Sequence, residues 1–166
     1  MTRSAISFLA VLATTLGVAA GPVAPRAAGD ARLSQSERTI IRIVNAVRSQ
    51  HGLRQLRASR ALNRAAEHHS SDMLARDFFA HESSDGTPLD RRIRSYANAR
   101  TVGEVLAALS SRPGIEQKVV QMWLDSPPHR AVMLSPGFRR IGLSQRSGPL
   151  GGFGMSVVTA DFASRF

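Results

Sequence analysis

The sequence of 166 residues contains no cysteine. This absence excludes a disulfide framework, a thiol nucleophile, a thiolate metal site and a cysteine-linked lipid. The fold must therefore depend on its hydrophobic core alone. The length is typical of a single domain that buries about two thirds of the surface exposed by the unfolded chain.

Lysine and the larger aromatic residues are also scarce. Lys118 is the one lysine among 22 basic residues, and the chain has one Trp and one Tyr. The formal net charge of +10 predicts affinity for polyanions such as nucleic acid, anionic lipid headgroups or an acidic polymer of the cell envelope. Because the arginines are spread along the chain with few aromatic residues between them, the pattern indicates general anion affinity and no ordered stacking platform.

Common catalytic motifs are missing as well. His81-Glu82 is not followed by a histidine at the zincin spacing, because that position is Asp85. No G-x-S-x-G sequence is present. The glycine-rich segment GPLGGFG leads into a β-prone run, so it lacks the helix N-terminus of a phosphate-binding loop and predicts a turn.

The amino-terminal segment predicts export. Residues 1–20, MTRSAISFLAVLATTLGVAA, combine a basic start at Arg3, a short apolar run and small residues before Gly21, which is the pattern of a signal peptide. The run is too short for a membrane span. We therefore expect a secreted or periplasmic protein with no transmembrane segment in its mature chain. An Ala/Pro/Gly-rich linker is predicted for residues 21–33, followed by one domain over 34–166.

The first part of the domain has helical patterns. Ser34 and Glu37 have capping-box spacing before an apolar stripe, and Gly52 is a stop signal. Ser59 is predicted to cap a second helix, whose buried stripe consists of Leu62, Ala65, Ala66, His69 and Met73. Three further helices are predicted for PLDRRIRSYA, VGEVLAAL and GIEQKVVQMWLD.

The hydrophobic period changes from Phe138 onward. The segment FRRIGLSQRSGPLGGFGMSVVTADF contains two β-prone runs around a Gly/Pro turn. This pattern predicts an antiparallel hairpin near the carboxyl end.

The five histidines differ in their surroundings. His51 and His68 are predicted to lie on the surface, whereas His69 lies on the apolar stripe and is predicted to be a hydrogen-bonded core residue. His81 and His129 each follow a helix end and lie among turn residues, where side chains project into clefts. These two histidines are the candidates for a functional site.

The ordered pattern of residues resembles the CAP superfamily, named for cysteine-rich secretory proteins, antigen 5 and pathogenesis-related proteins. The resemblance is to the cysteine-free bacterial branch and covers about residues 38 to 162. It rests on Asn45-x-x-Arg48, Gly52-Leu53, Ala65-Ala66, His69, Asp72-Met73, Phe79-x-His81, Gly103-Glu104, Trp123, Ser126-Pro127-x-His129-Arg130, Met133-Leu134, Phe138 and Ile141-Gly142.

The resemblance implies an α/β fold, the CAP-type α-β-α sandwich, in which a small antiparallel sheet lies between helical layers. It also implies a shallow cleft that gathers histidines and acids. By motif, these residues are His81, Glu104 and His129, and the SPPHR segment is expected to turn the chain so that His129 faces His81.

Two departures from the family pattern affect this cleft. The Gly-Glu-Asn motif is Gly103-Glu104-Val105, which removes a side-chain amide. The second family acid falls at Ser126, and the neighbouring Asp125 is rotated by about 100° on a helix. Three site residues, and not four, are therefore carried over.

These residues permit two functions. Two imidazoles and one carboxylate match a three-ligand zinc site with an open position for water, which a metal-dependent hydrolase acting on peptide, cell-wall or nucleic-acid substrates would use. However, no general base remains once Glu104 becomes a ligand. We therefore favour a non-catalytic binding or interaction module, and no cofactor beyond a divalent metal such as zinc is implied.

Overall fold

The computed structural model describes residues 32–166. The predicted signal peptide and most of the predicted linker lie outside the described residues. The described chain forms five helices and four strands, in the order α1 (Gln35–Gln50), β1 (Arg57–Ala58), α2 (Arg60–Ala75), α3 (Leu89–Tyr96), β2 (Val102–Ser110), α4 (Glu116–Asp125), α5 (Pro127–Met133), β3 (Arg140–Leu150) and β4 (Phe153–Ala163).

Side-chain caps fix the starts of the first two helices. The Ser34 hydroxyl accepts a hydrogen bond from the Glu37 amide at 3.2 Å, and the Ser34 amide donates to the Glu37 carboxylate at 2.6 Å. This confirms the predicted capping box at α1. The Ser59 hydroxyl accepts from the Leu62 amide, so Ser59 caps α2 as predicted.

The four strands form one sheet in the order β1-β3-β4-β2. β1 is parallel to β3, and the other two pairings are antiparallel. β3 and β4 form the predicted hairpin, and its two-residue turn consists of Gly151 and Gly152 with φ of 58° and 79°. Both turn residues need positive φ, which glycine adopts without a steric penalty.

The prediction that VGEVLAAL forms a helix is wrong. These residues belong to β2, which pairs with β4 from Val102↔Ala163 to Ser110↔Met155. Both faces of β2 are covered, so its sequence is a continuous apolar run without the alternation that marks a half-exposed strand. The Ala and Leu residues of this segment favour a helix locally. Pairing of all nine residues with β4 outweighs that local preference.

Helices cover both faces of the sheet. The main core joins α1, α4 and α5 to one face through buried residues such as Ile40, Trp123, Met133 and Phe162. On the other face, α2 and α3 pack through residues including Leu62, Ile93 and Met73. The structure therefore confirms the α-β-α sandwich. Within residues 32–166, no helix has the length and apolar character needed to cross a bilayer.

Candidate functional site

Glu104 lies at the centre of the predicted site and is held on β2. Its side chain is completely buried. One carboxylate oxygen, Oε1, lies 2.7 Å from His81 Nδ1, and the other forms an ion pair with the Arg92 guanidinium. Because a carboxylate only accepts hydrogen bonds, Nδ1 of His81 carries a hydrogen, and in the neutral ring Nε2 is the nitrogen that keeps its lone pair. Glu104 thus fixes both the orientation and the tautomer of His81.

Arg92 connects the site to α3. Its side chain is almost fully buried, and its Nη1 atom donates to the His81 carbonyl at 2.7 Å while Nη2 contacts Glu104. One guanidinium therefore holds both the backbone of the His81 loop and the carboxylate that orients the His81 ring. This double contact makes the loop between α2 and α3 part of a preorganised site.

His129 lies opposite His81. The two ring centroids are 6.4 Å apart and the ring planes meet at 69°. His129 was expected among turn residues, but it lies in the first turn of α5, directly after Pro127 and Pro128. Proline is well suited to these first helical positions because it has no amide hydrogen to leave unpaired. Burial and the neighbouring His81 lower the pKa of His129, which favours its neutral imidazole.

His69 lies below this pair and is fully buried, which confirms its predicted place in the core. Its Nε2 atom lies 2.9 Å from the Ala80 carbonyl oxygen and 3.8 Å from Glu104 Oε2. The carbonyl can only accept, so Nε2 carries the hydrogen. Burial lowers the pKa of His69, with Glu104 offsetting part of that effect. His51 and His68 are exposed, as predicted.

Asp161 is a second buried acid next to Glu104. It stands directly opposite Glu104 in the β2–β4 ladder and is fully buried. Neither of its carboxyl oxygens accepts a hydrogen bond from any donor in residues 32–166. Burial and the charge of Glu104 raise the pKa of Asp161 well above its usual range. Asp161 therefore holds its proton and can donate it in a hydrogen bond to Glu104.

The groups at this site that could bind a metal ion are two imidazole rings, and the carboxylate beside them is already hydrogen-bonded. Both Glu104 oxygens already have partners, so Glu104 acts on His81 in the way that carboxylates support metal-binding histidines. The part of the chain that the structure describes contains no group of three His, Cys, Asp or Glu side chains arranged to hold a metal ion. His81 Nε2 and the His129 ring are the groups left for an ion, and the three-ligand zinc set stays a prediction.

The structure shows the surroundings of Val105 and Asp125, the residues at or next to the two positions that depart from the family pattern. Val105 is buried in the main core, on the face of β2 opposite Glu104. Asp125 accepts a hydrogen bond from Gln121 at 2.7 Å on the exposed surface of α4. Asp125 is therefore engaged within its own helix and does not replace the acid that Ser126 lacks.

Arg92 and Asp161 belong to the candidate site, although no sequence pattern predicted them. Arg92 has no distinguishing signal, because it is one of three arginines within the short α3. Asp161 did have one, since it is the single acid in the apolar run MSVVTADFA. A lone acid in a strand that is buried on both faces requires a partner across the sheet.

A polar cleft of about 480 Å³ shares Arg92 with the site. Its lining includes His68, Asp72, Ser83, Arg91 and Tyr96. Asp72 holds one wall in place, because its carboxylate accepts hydrogen bonds from both the amide and the hydroxyl of Ser84. These bonds lower the pKa of Asp72 although partial burial acts in the opposite direction. The site therefore adjoins a concave polar surface.

Comparison with known sequences gives one family match and two bacterial relatives. Residues 41–162 match the sequence model of the cysteine-rich secretory protein family, CAP. The chain is 31% identical over 112 residues to YkwD of Bacillus subtilis, a match that covers 67% of this chain and 42% of YkwD. It is 28% identical over 127 residues to the membrane protein YlbC of the same organism, covering 73% and 36%. The match thus spans less than half the length of these curated relatives.

Solved structures show the same fold. An extracellular protein containing a SCP domain from Bacillus anthracis superposes with a TM-score of 0.65 at 27% identity, covering 78% of this chain and 40% of that protein. An outer surface protein of Borrelia burgdorferi superposes with a TM-score of 0.68 at 19% identity, covering 80% and 95%. At that identity the second likeness shows the fold alone.

Proposed function

This chain belongs to the CAP family of cysteine-rich secretory proteins, and from that premise we propose that it is an exported, non-catalytic binding or interaction module. In this proposal the binding surface is the cleft around His81 and His129. Glu104 and Arg92 form its fixed base. The setting is the bacterial envelope or the space outside the cell.

The main support for this proposal is that both carboxylate oxygens of Glu104 already have partners. Its two oxygens are bound by His81 and Arg92, and its side chain has no exposed surface. A general base must be able to reach and accept a substrate proton, directly or through one water. A buried carboxylate with both oxygens engaged is suited to orienting His81 and poorly suited to that task. The exposed imidazole edge remains available for binding.

Export is supported by the signal-like residues 1–20 and by relatives. The Bacillus anthracis protein is described as extracellular and the Borrelia burgdorferi protein as an outer surface protein. Those descriptions belong to those proteins. For this chain they favour the secreted or periplasmic location that the sequence predicts.

The alternative is a metal-dependent hydrolase that uses His81, Glu104 and His129. One feature favours it: a buried carboxylate orients His81 so that Nε2 is free, which is how histidine ligands of metals are commonly supported. The residues present fit two imidazole ligands from protein, and a bound zinc ion would supply Lewis acidity there. Glu104, the buried acid beside them, has both oxygens engaged and so is not free to activate water.

Activity assays separate the two functions. Peptide, cell-wall and nucleic-acid substrates are incubated with wild-type protein and with His81→Ala, each with and without added Zn²⁺. We expect no turnover above that of His81→Ala under any condition. Zinc-dependent turnover that is present in wild type and absent in His81→Ala would establish the hydrolase and contradict the binding module.

Calorimetric titration with Zn²⁺ alone tests whether the cleft binds an ion. We expect a binding heat at pH 7.5 that is lost in His129→Ala and retained in His68→Ala, which removes an exposed histidine outside the pair. Binding should weaken as the pH falls below about 6.5, where imidazoles become protonated. The lowered pKa of His129 extends its neutral range to more acidic pH. An identical heat for wild type and His129→Ala would remove His129 from the site.

A further inference from the structure

A second concave surface lies at the β1 edge of the sheet and is formed almost entirely by arginine. It has a volume of about 470 Å³ and is lined by Arg54, Gln55, Arg57, Arg139, Arg140 and Arg165. We call this surface the arginine groove. None of its lining residues belongs to the proposed cleft around His81 and His129, which we call the histidine cleft.

The sheet assembles the groove from two acid-free stretches of the chain. Residues 38–66 contain seven arginines and no Asp or Glu, and residues 126–160 contain four arginines and no Asp or Glu. The parallel pairing Arg57↔Arg140 joins these stretches. The antiparallel pairing Arg140↔Ala163 then brings the end of β4, followed by Arg165, to the same edge. Charges that are far apart in sequence are therefore concentrated at one place.

Among the described residues, the arginines of the groove have no acidic partners. The arginines of residues 33–166 that form ion pairs are Arg92, Arg94 and Arg146, all outside the groove. Arg139 donates to a backbone carbonyl, that of Phe138, at 2.8 Å. A cluster of guanidinium groups without carboxylates is electrostatically unfavourable in the free protein, and an anion bound in the groove would relieve that repulsion.

A buried arginine adds to this positive potential. Arg48 is fully buried and donates to the carbonyls of Arg54 at 3.1 Å, Met133 at 2.5 Å and Ser135 at 3.1 Å. It has no carboxylate partner among the described residues, and its Nη2 atom has no hydrogen-bond partner there. Burial and the charge of Arg139 lower the pKa of Arg48. An arginine remains protonated even so, so a positive charge lies beside the groove wall.

The chemistry of the lining points to phosphate and away from nucleobases. The planar guanidinium presents paired N–H donors that match two oxygens of a phosphate, whereas no aromatic side chain lines the groove. Proteins that bind single-stranded nucleic acid rely on aromatic stacking of the bases. We propose that the arginine groove binds a phosphodiester polymer that lacks nucleobases. The proposal does not depend on the histidine cleft.

Synthetic poly(glycerol phosphate) is the probe for this proposal. Its binding to the full chain is measured against salt concentration and compared with an oligothymidylate of equal phosphate number, poly-L-glutamate and phosphatidylglycerol vesicles. We expect the glycerol phosphate polymer to bind most tightly. The double variant Arg57→Gln/Arg140→Gln should lose about tenfold in affinity at low salt, with the slope of log K against log salt reduced by about 1.4 for two lost contacts.

A matched control removes two exposed arginines elsewhere. Arg64→Gln/Arg112→Gln lowers the net charge by the same amount without touching the groove, and it should stay within about twofold of wild type. If the strand variant fails to fold, Arg54→Gln/Arg165→Gln replaces it, because both side chains are exposed and lie outside the strands.

Three results would overturn the proposal. Equal losses in the groove and control variants would show that net charge alone binds the polymer. Tighter, groove-dependent binding of the oligothymidylate would make the groove a nucleic-acid site. Groove-dependent binding of vesicles without binding of the soluble polymer would make it a lipid-headgroup site. Each result is independent of the zinc and activity measurements, which test the histidine cleft.

Discussion

At the scale of single residues, the charges of the buried polar groups around Glu104 compensate one another. Glu104 faces the guanidinium of Arg92, while burial keeps Asp161 protonated and His69 neutral. One negative and one positive charge remain in this buried network. Such a network is stable only when its members are paired, because an unpartnered buried charge costs several kcal/mol.

Replacing Asp161 with Asn should stabilise the protein at neutral pH. The pKa of Asp161 is raised on folding, so its contribution to stability is present in acid and is lost as the pH rises above about 3.9, the value in the unfolded chain. The asparagine amide can donate to Glu104 without taking up a proton. Urea unfolding should show a gain of about 1–3 kcal/mol at pH 7, which shrinks at pH 4.

The exposed Asp125→Asn is the control for this measurement, and its stability should stay close to that of wild type at both pH values. If Asp161→Asn were less stable than wild type at pH 7, Asp161 would have to be ionised and paired in the folded protein.

Replacing His69 with Ala should destabilise the fold by about 1–3 kcal/mol at pH 7, because it removes buried packing and leaves the Ala80 carbonyl without its donor. The lowered pKa of His69 means that its contribution is lost as the pH falls below about 6.5, so the difference from wild type should narrow in acid. Thermal or urea unfolding of His69→Ala beside the exposed His68→Ala checks both expectations. Equal stability of the two variants would contradict the core role of His69.

At the scale of elements, the approach of α2 to β3 sets the position of the helix that carries His69. A Cβ atom on Gly142 of β3 would lie 2.1 Å from the backbone carbon of Leu62 and 2.4 Å from the backbone nitrogen of Asn63. These neighbours are backbone atoms, so they cannot move aside by a rotamer change. The absence of a side chain at Gly142 is therefore what allows α2 to lie directly on the sheet.

Gly142→Ala should consequently lower the free energy of unfolding by about 1–3 kcal/mol or more, since overpacking against backbone forces the helix away from the strand. Gly154 of β4 is the matched control, because a Cβ atom there would meet nothing within 4 Å. Gly154→Ala should change stability by about 0.5 kcal/mol or less. A small effect at Gly142 would show that α2 can shift at little cost.

At the scale of the whole molecule, the sheet separates two sets of polar residues. Glu104 lies on β2 at one edge of the sheet with Asp161 beside it on β4, and the arginine groove lies at the opposite, β1 edge. The overall charge of +10 is therefore distributed unevenly, because acids are absent from residues 38–66 and 126–160. An uneven distribution concentrates a positive potential at one surface more strongly than the same net charge spread evenly.

Proposed export gives a prediction for the amino-terminal segment. Because the apolar run is short and ends in Val18-Ala19-Ala20, we expect cleavage that leaves a mature amino terminus near Gly21. Amino-terminal sequencing of protein recovered from the envelope or the medium measures this directly. Exported material that still begins at Met1 would contradict the signal-peptide prediction. Removal of residues 1–20 takes away Arg3 alone among charged residues, which leaves the charge near the arginine groove unchanged.

The sequence by itself determined the features that depend on neighbours along the chain. The capping box of Ser34 and Glu37, the start of α2 at Ser59 and the turn at Gly151-Gly152 each involve residues at most three apart. The burial of His69 followed from helical periodicity, which the sequence also contains. Motif resemblance, which also implies the fold of the family, predicted His81, Glu104 and His129 as the site residues, and their role stays a prediction.

Tertiary structure decided the features that depend on partners distant in sequence. VGEVLAAL is a strand because β4 supplies its ladder and helices cover both of its faces, and a single segment contains neither of these facts. The pairing of Glu104 with Asp161, and the convergence of Arg57, Arg140 and Arg165, likewise arise only when strands come into register. The ion pair of Glu104 with Arg92 arises when α3 packs beside β2. Local sequence fixes the preference of a segment, but the charges and hydrogen bonds that give a site its chemistry come from residues that only the folded chain brings together.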